Sequence, residues 1–186
     1  TVYKNKLLLD FLDHSTTLSP FHNGSSLEII DEHFMSNRDL HIDQRKFLVN
    51  ALVSQYNSIG VETPTGVHQL EKKGVYTVTT GHQLCFMGGP QFFIHKIIST
   101  IKSCQLLKEK YSQNDFIPVF WMASEDHDFQ EISHTTIFGK KFSIEDTHDT
   151  IAVGRLKSSV FQSLHEEVKE FFKTDEKFKI LEDLFE

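Results

Sequence analysis

The stretch VYTVTTGHQLCFMGGP, residues 75–90, decides the fold together with FIPVFWMASEDHD, residues 116–128. The first stretch begins with a run rich in β-branched side chains, which predicts a strand. The second begins with a short, continuous apolar run, which is typical of a strand buried on both faces. Residues 91–111, between them, place apolar side chains at helical spacing, and Pro90 suits the first turn of that helix. The pattern predicts two parallel strands joined by a right-handed helical crossover.

Polar segments follow both predicted strands. Residues 81–90 come after the first strand, and residues 124–128 come after the second. Ligands of open parallel sheets bind beyond the carboxyl ends of the strands, so we expect the two segments to share one crevice. Pro118 lies inside the second strand, which favours a position near the start of that strand or at a sheet edge.

The predicted fold class is α/β, with a parallel sheet core that is incomplete in this chain and a helical region before it. The expected division is a helical region at 1–73 and the first part of the sheet core at 74–186. The chain starts with Thr1 rather than Met and stops at Glu186 within an amphipathic pattern, so we expect it to be a fragment.

Weaker patterns predict the remaining elements. Before residue 74 these are an extended segment over 1–24, a short helix from a Ser25 or Ser26 cap through Met35, a longer helix from an Asp39 cap to Gly60, and a short helix after Thr63-Pro64. After residue 128 they are a hairpin at 135–138 and 141–144, a strand at 151–155, and helices at 158–172 and 176–185.

The composition excludes several classes of function. The chain has 186 residues, 39% hydrophobic and 24% charged, which is ordinary for a globular domain. A net charge of −7 argues against a nucleic-acid partner. No segment approaches the ~20 apolar residues that span a bilayer, and residues 1–10 do not read as a signal peptide. Two cysteines do not make a disulfide framework, so we expect a cytoplasmic protein with no membrane partner.

The glycine-rich loop is the first candidate binding site. Gly88 and Gly89 precede a predicted helix N-terminus, where unpaired N–H groups favour phosphate or carboxylate. The loop matches neither GxGxxG nor GxxxxGK[ST], and a tight strand-to-helix connection explains the glycines equally well. His82 could serve as a general acid or base, could donate a hydrogen bond to a phosphate, or could hold a backbone carbonyl. Lys96 could reach an anion at the helix start, or could lie on a solvated face.

The acidic segment is the second candidate site. Glu125, Asp126, His127 and Asp128 follow a strongly apolar strand, which favours partial desolvation over a simple solvated loop. The cluster could bind an amine, sugar hydroxyls or a ribose and transfer protons. A metal is not predicted, although Asp126, His127, Asp128 and His134 are suitable ligand types, because adjacent residues rarely all face one ion.

Two further side chains, Cys85 and His95, are predicted to have no catalytic role. Cys85 has no base fixed beside it by the sequence, so an inert loop cysteine is favoured over a nucleophile. His95 is interpreted as a surface or packed histidine of the crossover helix.

Several motifs resemble the cysteine-adding enzyme family of bacillithiol biosynthesis. They are VTTGHQ at 78–83, Gly89-Pro90, KIISTIK at 96–102, PVFWMASEDHDFQEISH at 118–134, Gly139-Lys140-Lys141 and Val153-Gly154-Arg155. The resemblance covers most of the chain and is densest over 75–155. It implies a Rossmann-like core similar to class I nucleotidyltransferases, with helical insertions and a coiled coil that allows a homodimer. Chains of that family are considerably longer than this one.

The resemblance also implies a function and a set of site residues. The family joins cysteine to glucosaminyl malate through an amide, in the last step of bacillithiol synthesis. The implied catalytic residues are His82, Asp126, His127 and Asp128, and the implied residues for substrate or nucleotide binding are Thr80, Gly81, Gln83, Gly88, Gly89, Pro90, Lys96 and Glu125. ATP or ADP is the expected nucleotide, although no standard ATP motif is present and the energy source stays open. The competing interpretations are a nucleotidyl- or sugar-nucleotide transferase and a non-catalytic remnant that binds a metabolite or a protein.

Overall fold

The computed structural model describes residues 5–18, 20–21, 30–144 and 151–172. The chain divides into two compact units, one of residues 1–78 and 101–118 and the other of residues 79–100 and 119–186. The predicted boundary at 73/74 is not tested by this division and stays a prediction. No helix in the described ranges has the length and apolar character that crossing a membrane requires.

Within the described residues, four helices precede the first strand. They are α1 (Lys6–Leu12), α2 (Glu32–Ser36), α3 (Ile42–Ser58) and α4 (Thr65–Gln69). The prediction of an extended segment over 1–24 is wrong at α1, because the Asn5 side chain accepts from the Leu8 N–H and starts a helix there. The Asp31 side chain caps α2, and the predicted caps Ser25 and Ser26 lie outside the described residues.

Helix α3 begins two residues later than predicted from an Asp39 cap. His41 is the N-cap, and the Gln44 side chain accepts from the His41 N–H to complete a capping box. The predicted cap is wrong because the Asp39 carboxylate accepts from Arg45 instead. The helix ends just before Gly60, whose φ of 69° suits a helix terminus.

The strand–helix–strand unit is confirmed. Strand β1 (Val75–His82) leads through α5 (Gln91–Lys110) to β2 (Asp115–Met122), and β1 pairs with β2. The N–H of Asp115 donates to Gly74 at one end of the pair, and the N–H of Ala123 donates to His82 at the other, both at 3.1 Å. The two strands therefore run in parallel, as the sequence predicts.

Strand β2 is less buried than its apolar sequence predicts. Trp121 is 60% exposed and Met122 is 58% exposed. The prediction of burial on both faces is wrong at this end of the strand, because the sheet within the described residues has only two strands.

The first unit has an apolar interior between its helices and the start of β1. Val49 of α3, Val67 of α4, Leu70 and Val75 form one buried cluster. Arg45 is also buried, and its Nη1 donates to the carbonyls of Leu70 and Val75. This arrangement fixes α3 against the beginning of β1.

The second unit continues with α6 (Phe129–Ile132), the strands β3 (His134–Ile137) and β4 (Lys140–Ser143), and α7 (Gln162–Phe171). β3 and β4 are antiparallel, which confirms the predicted hairpin. The predicted strand at 151–155 is wrong, because Val153–Arg155 is a 3₁₀ turn. The predicted helix at 158–172 begins as a 3₁₀ turn before α7, and the one at 176–185 lies outside the described residues.

Candidate functional site

The two polar segments meet at the carboxyl ends of β1 and β2. The Gln83 side-chain amide donates from Nε2 to the carbonyl of Asp128 at 2.7 Å and to Oε2 of Glu131 at 3.2 Å. These contacts lie within the second unit. The segment after β1 and the segment after β2 therefore form one continuous polar region, which is the geometry that the strand pattern predicts.

His82 is enclosed at the end of β1. Its Nε2 lies 3.5 Å from Oε1 of Glu131, and its Nδ1 lies 2.9 Å from the Gln83 carbonyl and 3.4 Å from Sγ of Cys85. The ring is buried, and the Phe92 ring covers it at 5.2 Å between centroids. Both ring nitrogens are thus engaged inside the protein.

Gln83 is one of the buried polar residues of the region, with 4% of its surface exposed. Because Nε2 faces two acceptors, the orientation of the amide is fixed. The buried Oε1 has no hydrogen-bond partner among the described residues. Such an acceptor is costly unless a donor from water or a ligand reaches it.

Cys85 lies against this network. Burial raises the pKa of its thiol, and the neighbouring Glu131 carboxylate raises it further. A Cβ atom on Gly89 would stand 2.5 Å from Cβ of Cys85, so only glycine allows the loop to close on it. The raised pKa keeps the thiol neutral, which supports the interpretation of Cys85 as a structural residue.

The glycine-rich loop leads into α5 through a 3₁₀ turn at Phe86–Gly88. Gly88 has a φ of 79°, and apart from its chain neighbours no atom of the described residues lies within 4 Å of a Cβ built on it, so space is open on this side. Lys96 Nζ donates to the Gly81 carbonyl at 3.2 Å. Thr80 and Gly81 lie in β1 itself, and Pro90 directly precedes α5.

The acidic segment uses two of its carboxylates to hold the backbone. Oδ1 of Asp126 accepts from the N–H of His127 at 2.7 Å and of Asp128 at 3.3 Å. Oδ1 of Asp128 accepts from the N–H of Glu131 and caps α6. The predicted catalytic roles of both aspartates stay predictions, and the contacts seen are structural.

A cleft of about 540 Å³ opens beside the acidic segment. Its polar lining includes Glu125, His127 and Arg155, and its other lining residues are Ser124, Ile151, Ala152 and Gly154. Glu125 and His127 are predicted site residues that reach this cleft. His82, Asp126 and Asp128 do not line it.

Two residues of the region were absent from the predicted site. Glu131 connects to both His82 and Gln83, and Arg155 comes from a turn 30 positions beyond Glu125 (155 minus 125). The position of Glu131 at N3 of α6 signals a helix start but does not indicate a contact with β1. In the described ranges, no three His, Cys, Asp or Glu side chains are grouped to hold a metal ion.

The fold and the site define a class of protein. A parallel strand–helix–strand unit with polar residues at the carboxyl ends of its strands is the beginning of a Rossmann-like α/β domain. All 186 residues match the family model described as "Bacillithiol biosynthesis BshC, N-terminal Rossmann-like domain". The chain therefore belongs to the BshC family of bacillithiol biosynthesis.

Individual relatives agree with the family match. The chain is 39% identical over 166 residues to a protein of Flavobacterium psychrophilum, covering 84% of this chain and 30% of the relative. It is 37% identical over 168 residues to a protein of Cytophaga hutchinsonii, covering 89% and 32%. It is 42% identical over 146 residues to a protein of Flavobacterium johnsoniae, covering 75% and 27%. Each of these relatives is named "Putative cysteine ligase BshC", and the chain spans about 30% of their length.

Proposed function

We propose that the full-length protein is a carbon–nitrogen ligase that joins cysteine to glucosaminyl malate through an amide, in the last step of bacillithiol synthesis. The observation that carries this proposal is the convergence of the segments after β1 and β2 on one polar region. The name of the relatives supports cysteine as the substrate. The 186-residue chain alone is expected to be inactive, because it supplies only part of the pocket.

Amide formation needs a neutral amine as the nucleophile. Glucosamine supplies a nitrogen nucleophile, and an amine that is protonated must lose a proton before it attacks. His127 is exposed and lines the cleft, so its imidazole can reach a bound substrate. His82 is enclosed by Glu131 and Phe92, which suits it to hold the loop after β1. We therefore assign proton transfer to His127 first.

The charged groups of the substrates fit different parts of the region. The turn at Gly88 and Gly89, with the N-terminus of α5, suits an anion, either a malate carboxylate or a nucleotide phosphate. Glu125 suits an ammonium group of cysteine or glucosamine. Lys96 already donates to the Gly81 carbonyl and would add positive charge near the loop.

Joining a carboxylate to an amine in water is uphill, so a co-substrate must supply the energy. We propose ATP, which is converted to ADP and phosphate as the amide forms. The open space beside Gly88 and the positive end of the α5 dipole fit a phosphate group. When bound, ATP would activate a carboxylate. The chain's own residues bind and orient the substrates in this scheme.

We also propose where the protein acts and with what. The partners are the two small-molecule substrates and, through a coiled coil beyond this chain, a second copy of the protein. The proposed compartment is the cytoplasm, because two free cysteines suit a reducing environment.

The direct test is turnover by the full-length protein. It is mixed with cysteine and glucosaminyl malate, with ATP and without it, and mass spectrometry measures bacillithiol. Product only in the presence of ATP is the expected result. No product under either condition contradicts the proposal, and product without ATP contradicts the assignment of the energy source.

The role of His127 is tested by His127→Gln. Loss of a general base lowers kcat by about 10² to 10⁴, and we expect a change in this range. His134→Gln is the matched control, because His134 is also exposed and its Nδ1 lies 3.0 Å from the Gln130 carbonyl. Equal activity of the two variants would show that His127 does not transfer the proton.

A further inference from the structure

The cleft beside the acidic segment carries opposite charges from two stretches of chain. Glu125 lies in the segment that follows β2, and Arg155 ends the turn at Val153–Arg155. Within the described residues neither side chain forms an ion pair. Oε1 of Glu125 accepts from the Trp121 indole at 3.2 Å, which orients the carboxylate and leaves Oε2 available.

The backbone holds the two sides of the cleft together. The N–H of Gly154 donates to the Ser124 carbonyl at 2.9 Å, and the N–H of Val153 donates to the Asp126 carbonyl at 2.8 Å. A Cβ on Gly154 would lie 2.5 Å from Cβ of Ser124, so glycine is required for this approach. Val153 is buried with Phe129 beneath the cleft. The positions of the charged residues are thus set by packed backbone, although their side chains are exposed.

We propose that this cleft binds a zwitterionic α-amino acid, with Arg155 on its carboxylate and Glu125 on its ammonium group. A guanidinium pairs with a carboxylate through two parallel hydrogen bonds, and a carboxylate accepts from an ammonium. An anion alone would meet the repulsion of Glu125, and a cation alone would meet that of Arg155. A ligand that carries both charges can pair with both Glu125 and Arg155.

The size of the cleft is compatible with more than this one ligand. Small-molecule sites typically occupy about 300–1,000 Å³, and this cleft measures about 540 Å³. A single small amino acid leaves room in such a volume for part of a second substrate. His127 lines the same cleft and would stand beside both.

This inference rests on the proposed function only for the identity of the amino acid, which is then cysteine. Arg155 would offset the charge of the cysteine carboxylate, and Glu125 would hold the amine away from the reaction. In this arrangement Arg155 binds the carboxylate of the amino acid and Glu125 binds its ammonium group.

Calorimetric binding to the full-length protein, without a nucleotide, separates these claims from turnover. The ligands are L-cysteine, L-cysteine methyl ester and N-acetyl-L-cysteine. The wild-type protein should bind cysteine at least tenfold more tightly than the ester or the acetylated compound. Equal binding of cysteine and either derivative would overturn the proposal without any variant.

Two substitutions test which residue binds which charged group of the ligand. Arg155→Gln should weaken cysteine binding at least tenfold and leave the methyl ester unchanged, and Glu125→Gln should weaken cysteine but not N-acetyl-L-cysteine. Lys157→Gln and Glu109→Gln are matched controls, since both residues are exposed and neither lines the cleft. Circular dichroism checks that the variants are folded.

The outcomes distinguish a failure of the cleft proposal from a failure of the proposed function. Cysteine binding that depends on Arg155 and Glu125 supports the cleft even if no bacillithiol forms, and in that case only the proposed function fails. Product formation by wild-type protein, with cysteine binding unaffected by either substitution, overturns the cleft and leaves the proposed function standing.

Discussion

The Glu131 carboxylate connects α6 to the end of β1. One oxygen faces Nε2 of His82, and the other accepts from Nε2 of Gln83. The same carboxylate is near Cys85 and, after burial, is the second cause of the raised pKa of that thiol. A single side chain thus contacts His82 and Gln83 and raises the pKa of the Cys85 thiol.

The Cys85 thiol should therefore ionise above its ordinary pKa, and Glu131→Gln should lower that pKa without restoring the ordinary value, because burial remains. The rate of alkylation by iodoacetamide, measured against pH in a Cys104→Ser background, reports the thiolate. Its midpoint should move to lower pH in Glu131→Gln. An unchanged midpoint would show that the carboxylate does not act on the thiol, and Glu166→Gln is the control.

The sign of the linked stability follows from the same shift. A thiol whose folded pKa is raised favours the folded state below the ordinary pKa of cysteine. This contribution is lost as the pH rises through the folded pKa. Glu131→Gln should reduce the loss, since the gap between the two pKa values becomes smaller.

Gly154 is packed so closely against Ser124 that a side chain at position 154 would clash. Gly154→Ala places a methyl group 2.5 Å from Cβ of Ser124 and 2.8 Å from its carbonyl oxygen. Overpacking of this kind costs about 1–3 kcal/mol. Native-state hydrogen exchange at the N–H of Val153, which donates to Asp126, should show a local free energy of opening lower by about this amount.

Ser124→Gly provides the control for this prediction. It removes the nearer of the two clashing atoms, so Gly154→Ala should cost less in that background, although the carbonyl oxygen remains. Gly66→Ala is a second control, because the nearest atom there is a side-chain methyl of Ile117 at 3.1 Å. Unchanged exchange in Gly154→Ala would contradict the close approach of the two segments.

At the scale of elements, α3 packs within the first unit through buried Arg45 as well as through buried Val49. Arg45 donates from Nη1 to the carbonyls of Leu70 and Val75, from Nε to the carbonyl of Leu40, and from Nη2 to Asp39. The guanidinium satisfies the carbonyls on either side of the turn that leads into β1. The helix and the strand are therefore fixed together by polar contacts as well as apolar ones.

Arg45→Ala should destabilise the first unit strongly. Removing one partner of a buried ion pair costs about 3–5 kcal/mol, and here three carbonyls also lose a donor. Hydrogen exchange of the α3 amides measures the loss. Arg38→Ala is the matched control, since Arg38 is exposed over the Phe34 ring and such a contact contributes about 0.5–1 kcal/mol. Similar losses in the two variants would show that the buried contacts do not stabilise the helix.

Elements with a local signal were predictable from the sequence, and those that depend on distant partners were not. The β-branched run of β1, the periodicity of α5 and the turn at Gly139 each carry their own pattern, and each prediction is confirmed. The segment 151–155 has strand-like residues but forms a 3₁₀ turn, because its N–H groups donate to Ser124 and Asp126 instead of to a neighbouring strand. No periodicity could reveal those partners.

The same distinction applies to the site. The rule for parallel strands predicted that residues near 82 and 126 would meet, and the contacts of Gln83 show that they do. Arg155 was missed as a residue of the cleft because its place in the lining depends on the path of an irregular turn. The location of the crevice was predictable from the sequence, but the presence of a positive charge in its lining was not.

At the scale of the whole molecule, the second unit leaves several large apolar side chains exposed. A sheet of two strands is only marginally stable by itself, and β2 ends with the exposed side chains of Trp121 and Met122. Ile94 and Ile98 of α5 are also exposed. The curated relatives are about three times as long as the matched segment, so a chain of their length would have enough additional residues to cover these side chains.

Hydroxyl-radical footprinting of the full-length protein tests this expectation with an internal reference. Phe138, at the tip of the β3–β4 hairpin, is 86% exposed and should be labelled at the rate of a solvated phenylalanine. Trp121 and Met122 should be labelled several times more slowly than solvated tryptophan and methionine, because further sheet strands or helices would bury them. If all three side chains reach their solvated rates, the exposed end of β2 is a true surface, and the sheet does not extend over it in the complete protein.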